Sequence, residues 1–297
     1  QAISQYTHNL KFLKSMKQFH RFNDSYFSSA SSIRYEGDTI TITMENILSD
    51  VKILRKPEFE TVRYNTKLSF IPSERNLVSV IRNIDQSYRS AESDVLFNYI
   101  FEWGEAKDSY TAEHPKRLSF TDNIEYINDG GNDLVRLINE NKMIPAYYAS
   151  SGVQSAMPLD VMVDYFTGLV GKNASVSKHD LANTLARYLG KDKELTNEML
   201  KSISNKMKYQ SVQLFIEEPE QNLYPDSQRN LTINLVCALK QAMPKGRGDS
   251  MLVMTTHSPY ILSTLNVLIA EAYAMDAKPK SDKLRNIVNK ECLFPLS

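Results

Sequence analysis

Apolar runs that stop abruptly alternate along this chain with stretches in which apolar residues recur every three or four positions. The clearest series lies toward the end. Gln213 to Ile216 form a short apolar run closed by Glu217, Glu218, Pro219 and Glu220, the pattern of a strand buried in a parallel sheet. After Pro225, residues Leu231, Leu235, Val236 and Leu239 fall at helical spacing, with Asp226 placed to cap that helix. The stretch Pro244-Lys245-Gly246-Arg247-Gly248 ends it, and a second apolar run, Met251 to Met254, closes on Thr255, Thr256 and His257. A strand, a helix and a strand of these lengths predict a βαβ unit with parallel strands. Ser258 and Pro259 then open another helix, the serine as cap and the proline in the first turn.

Upstream, residues 1–22 predict a helix with Leu10, Phe12, Leu13, Met16 and Phe19 on its apolar side. Lys11, Lys14, Lys17 and Arg21 form a basic stripe, which reads as a solvated face or as a nucleic-acid contact. Ile33-Arg34-Tyr35 and Thr39 to Thr43 alternate around Gly37-Asp38, a strand pattern. Lys67 to Ile71 predicts a strand stopped by Pro72, Asn76 to about Trp103 a helix, and 104–120 a polar stretch with a loop. Ile124 to Ile127 and Leu134 to Leu137 flank Asp129-Gly130-Gly131-Asn132 as a hairpin, and Ile144 to Tyr148 predicts one more strand. Helices fill most of 155–209, one of them re-starting at Pro158, and Gly168 to Asn173 reads as a helix end. The class is α/β, with a mostly parallel core sheet, an antiparallel β region and a helical lobe. We divide the chain into 1–75 (N-terminal helix and β region), 76–143 (variable helical and hairpin lobe) and 144–297 (core).

Composition narrows the classes. With 297 residues, 42% hydrophobic and 24% charged, the balance is that of a soluble globular protein. A formal net charge of +0 gives no global field toward nucleic acid or an acidic membrane. No run is long and apolar enough to span a bilayer. Cys237 and Cys292 lie far apart, which points to a reducing, cytoplasmic compartment rather than a disulfide framework. Residue 1 is Gln, so a leader has been removed or the chain is the C-terminal part of something longer. Only 10 glycines occur, which leaves little material for Gly-rich phosphate loops.

Parallel strands point the same way, so Glu217, Glu218 and His257 are expected at one carboxyl edge of the sheet, where open α/β sheets bind ligands. Two adjacent carboxylates repel, and a hydrated Mg²⁺ is the simplest remedy. The plain alternative is a strand that stops at an acidic turn. A second candidate is Ser150-Ser151-Gly152-Val153-Gln154, a small turn opening a helix. Such a turn either exposes backbone N–H groups to an anion or is an ordinary cap.

Taken in order, SSGVQ, then LFIEEPE, then TTHSPYIL resemble the C-terminal half of an ABC-type ATPase head of the RecF/SMC/OLD-like branch of the P-loop ATPases. Ser151, Gly152 and Gln154 match the signature motif, Glu217 and Glu218 the Walker B acids and His257 the switch histidine. EQNLYPDSQ matches the D-loop region, and IPSERN (Ile71 to Asn76) resembles a stretch seen in this branch. The likeness covers 67–80 and 144–265. Two features depart from the pattern: the first Walker B acid is Glu rather than Asp, and no phosphate loop is present. Gly168-Leu169-Val170-Gly171-Lys172-Asn173 has the wrong spacing for one. The Walker A strand and helix are therefore expected upstream of Gln1.

The resemblance implies a head that binds ATP and Mg²⁺ and forms a homodimer around the nucleotide, in bacterial DNA maintenance or phage defence, with DNA or an effector protein as possible further partners. Glu217 would hold Mg²⁺, Glu218 would polarise the attacking water and His257 would sense the γ-phosphate. Ser151, Gly152 and Gln154 would complete the site of the partner subunit. This fragment alone would bind ATP negligibly. Two other classes stay open: an interaction module presenting 76–143 and 155–209, and a metal-dependent nuclease using Glu217, Glu218, Glu220 and His257 directly.

Overall fold

A computed structural model describes residues 9–37, 40–56, 65–81, 84, 95–172, 208–246, 249–279 and 281–283. The chain forms two compact units. The first comprises residues 1–64 and 89–98. In it, helix α1 (Asn9–His20) accompanies an antiparallel sheet of β1 (Ile33–Glu36), β2 (Ile40–Met44) and β3 (Lys52–Arg55), in the order β1-β2-β3. Period-two alternation along β2 sends Ile42 and Met44 into a small core with Phe12 and Val51. The expected strands are there and pair antiparallel, with Ile33 opposite Met44 and Tyr35 opposite Ile42.

The second unit comprises residues 65–88 and 99–297. Its core sheet has three parallel strands in the order β10-β9-β4: β4 (Thr66–Ile71), β9 (Ser211–Glu217) and β10 (Met251–Thr255). Val212, Leu214 and Ile216 are almost wholly buried, as a central parallel strand requires. A four-stranded antiparallel sheet runs β5-β6-β7-β8, from β5 (Lys116–Arg117), β6 (Ile124–Asp129), β7 (Asn132–Leu137) and β8 (Lys142–Pro145). Among the described residues its helices are α2 (Leu77–Val80), α3 (Val95–Lys107, in this unit from Tyr99), α4 (Ser151–Leu169), α5 (Pro225–Ala242) and α6 (Pro259–Ala277). Among the described residues, no helix is long and apolar enough to cross a membrane.

The βαβ unit, the strand ending before Pro72, the 124–137 hairpin and the Ser258 cap with Pro259 behind it all stand as expected. Several local expectations do not. The strand expected at Ile144–Tyr148 is β8, which pairs antiparallel with β7 and ends at Pro145; Ala146–Tyr148 form one 3-10 turn. Helix α3 continues to Lys107 because Trp103 and Ala106 are fully buried there. The cap position of α5 is Tyr224 and Pro225 takes its first turn, which leaves Asp226 to act on the helix dipole.

Pro158 neither breaks nor re-starts α4. A proline removes the N–H that would bond the carbonyl four residues earlier. Here that carbonyl belongs to Gln154, and the Ser79 hydroxyl donates to it instead at 2.8 Å. Gly171 has φ +79 just past α4, in keeping with a helix end. Cys237 is disulfide-bonded, against the expectation of reduced thiols. Cys292, the basic residue Lys11 as a side chain, and the helices expected over 173–207 lie outside the described residues.

Candidate functional site

Thr255 stands opposite Glu217 in the parallel register, so both strands run out at the same edge. The Glu218 N–H then donates to the Thr255 carbonyl at 2.9 Å, which holds the acidic turn against the end of β10. Glu218 has φ +41 and Asn222 φ +59. Left-handed backbone at a side chain with a Cβ is uncommon and is kept where the surroundings over-determine it.

Each carboxylate of the turn has a different surrounding. Glu217 accepts the Ser73 N–H at 3.1 Å through one oxygen. Glu218 accepts the side-chain amide of Gln221 at 3.0 Å, and its other oxygen stands 3.9 Å from Nε2 of His257. His257 is open to solvent, with 91% of its side chain exposed, while Glu218 is 40% exposed. Glu220 turns inward: one oxygen accepts the Thr256 hydroxyl at 2.8 Å and the His257 N–H at 2.7 Å. Its other oxygen is buried without a hydrogen bond. Glu220 therefore clasps the turn that carries His257, a task for which the sequence offered only its position beside the other two acids.

The second candidate opens α4. Ser150 is the cap and its hydroxyl accepts the Val153 N–H at 3.4 Å; Ser151 is exposed in the first turn. A Cβ placed on Gly152 would lie 2.7 Å from the Asn222 carbonyl oxygen, so glycine is demanded here by the chain's own acidic turn. The Gln154 side chain donates to the Tyr147 carbonyl at 2.8 Å, within the chain.

Arg75, from the IPSERN stretch, is the residue whose part sequence reasoning missed. It is fully buried, and its guanidinium donates to four carbonyls: Ser155 at 2.8 Å, Pro72 at 3.3 Å, Glu217 at 2.7 Å and Glu218 at 2.7 Å. Burial pulls its pKa below the ordinary value, against the opposing pull of Tyr99 and of Glu220, Glu218 and Glu217. The available signal was a lone arginine between a strand-ending proline and the apolar Leu77-Val78 pair.

Glu217, Glu218 and His257 thus share one edge, and the first turn of α4 abuts the acidic turn through Gly152 and Asn222. A single carboxylate that retains uncommitted acceptor capacity suits Mg²⁺, which is ordinarily held by one or two carboxylates together with substrate phosphates. Among the described residues, no group of three or more His, Cys, Asp or Glu side chains is arranged to hold a metal by itself.

A family model described as AAA ATPase domain matches residues 45–262, a span that contains both turns, Arg75 and His257. No curated protein matches the chain.

Proposed function

Because the chain belongs to the AAA ATPase domain family, we propose that it is the ATP-binding and ATP-hydrolysing head of an ABC/SMC-like ATPase. The family and the parallel sheet with its flanking helices fit a P-loop NTPase-like fold. The observation that carries the finer reading is the shared edge of β9 and β10, with two glutamates leaving one strand and His257 leaving its parallel neighbour.

In this reading Glu217 would hold Mg²⁺, which neutralises developing phosphate charge when bound. Glu218, half exposed and steered by Gln221, orients the attacking water. His257, pinned through its backbone by Glu220 and exposed at its ring, meets the γ-phosphate side. Such chemistry asks mainly for positioning and charge neutralisation, which these groups supply. Ser151, Gly152 and Gln154 complete the site of a second subunit, so that two heads close around ATP as a homodimer. No G-x-x-x-x-G-K-[ST] sequence occurs in these residues; in this reading the Walker A loop would come from a segment outside them. We assign the three segments 1–75, 76–143 and 144–297 as the N-terminal β region, the variable lobe and the signature, Walker B and His-switch core. Work on DNA or with an effector in a maintenance or defence system follows from the branch resembled.

Full-length Glu218→Gln incubated with Mg²⁺-ATP should run at twice the monomer mass in light scattering, and the wild type should return to monomer as it hydrolyses. A variant that stays monomeric at saturating ATP contradicts the sandwich. Titration calorimetry of the 297 residues alone should show negligible heat with ATP; tight binding would refute the assignment of the phosphate cradle to another segment.

A further inference from the structure

Arg75 joins the two turns that the proposed mechanism treats separately. Its Nε donates to the Ser155 carbonyl in α4, at 2.8 Å. Its two terminal nitrogens donate to the Glu217 and Glu218 carbonyls, both at 2.7 Å. A second tie runs parallel: the Asn222 amide donates to the Ser155 hydroxyl at 2.8 Å. The Gly152 backbone closes the gap on the other side, against the Asn222 carbonyl. Ser155 is therefore held through both its carbonyl and its side chain, and it is almost wholly buried. An arginine suits this place because its planar fork can serve three carbonyls at once, which a lysine ammonium on a flexible stem cannot. The hydroxyl of Tyr99 fixes the backbone of Arg75 in turn, donating to its carbonyl at 2.7 Å.

We infer that Arg75 is a positioning residue that locks the first turns of α4 and the Glu217–Asn222 turn into one mechanical piece. This rests on the reading of those turns as halves of ATP sites. In a two-headed sandwich, the α4 turn of one subunit faces the nucleotide bound by its partner, whereas Glu218 faces the nucleotide bound by its own subunit. One guanidinium then connects the two sites within each chain, so closure on one ATP sets the backbone of the glutamate that acts on the other.

The link and its consequence are measured separately, in the full-length protein. Without nucleotide, Arg75→Lys should speed amide hydrogen exchange in peptides over 150–158 and 213–222 together, with the 124–137 hairpin unchanged. Loosening of one segment alone, or of neither, overturns the bridge whatever the protein hydrolyses. With Mg²⁺-ATP, Arg75→Lys should lose about a hundredfold in kcat, the scale of an ångström-sized misplacement. KM should stay within a small factor, and the dependence of rate on ATP should lose its sigmoidal character. A wild type that hydrolyses ATP cooperatively beside an equally cooperative, equally fast Arg75→Lys refutes the coupling. A wild type with no turnover refutes the ATPase reading instead and leaves the exchange result to decide the bridge. Should Arg75→Lys fail to fold, Asn222→Ala cuts the second tie without disturbing a buried charge. It should then show a smaller loosening of the same two segments, and its failure to do so counts against the bridge.

Discussion

Gly152→Ala and Gly168→Ala add the same methyl group to the same helix, and the structure assigns them opposite signs. At Gly168 the nearest atom to a new Cβ is the flexible Lys172 ammonium at 3.9 Å. Alanine there gains up to about 1 kcal/mol of helix propensity. At Gly152 the new Cβ meets the Asn222 carbonyl oxygen at 2.7 Å, a backbone atom of a turn held by Arg75 and Ser155. Overpacking of that kind costs about 1–3 kcal/mol, and displacing Asn222 forfeits a hydrogen bond worth about 1 kcal/mol. The first turn of a helix returns less propensity than its interior, so the net loss is about 2 kcal/mol. In a unit of this size that lowers the melting temperature by roughly 4–8 °C, against a rise of roughly 2–4 °C for Gly168→Ala. Calorimetric melts of wild type and both variants decide the matter. Equal shifts of the same sign would refute the claim that the chain's own acidic turn, rather than helix propensity, dictates glycine at 152.

Two further outcomes follow from buried charge. Lys67 and Glu102 form a pair at 2.6 Å in which both side chains are largely buried, with Ser69 donating to the same carboxylate at 2.5 Å. Glu102→Ala strands the ammonium and should cost about 3–5 kcal/mol in denaturant unfolding, whereas Lys67→Met with Glu102→Met should cost far less. Asp160 is fully buried, accepts the Ser119 N–H at 2.5 Å and the Asn234 amide at 3.0 Å, and has its pKa raised chiefly by loss of hydration. A raised folded pKa means that the folded state binds the proton more tightly, so stability falls as pH climbs from the ordinary aspartate value through the raised one. Relative to Asp160→Asn, the wild type should therefore gain stability as pH is lowered through that window, and a parallel pH dependence of the two contradicts it.

The parallel sheet was legible because β9 and β10 are short apolar runs with abrupt polar ends, too short for a helix and bounded by turn signals. The same feature located Glu217, Glu218 and His257 at one edge. What escaped was set by atoms distant in sequence. Pro158 reads as a break until Ser79 is seen to satisfy the carbonyl it orphans. Ala146-Tyr147-Tyr148 read as strand because they are apolar and aromatic, yet Pro145 ends the ladder before them. The three carbonyl bonds of Arg75 to Ser155, Glu217 and Glu218 leave no periodic trace, since the partners contribute backbone rather than side chains. The turn at Gly152 reads in the sequence as an anion-binding turn or an ordinary cap, and the structure adds a steric demand from Asn222.

The central claim is that Glu218 positions the water that attacks ATP. Phosphate release from Mg²⁺-ATP by the full-length protein, wild type beside Glu218→Gln, tests it most directly. The account predicts steady release by the wild type and loss of about a hundredfold or more in the variant with nucleotide still bound; equal release by the two would contradict it.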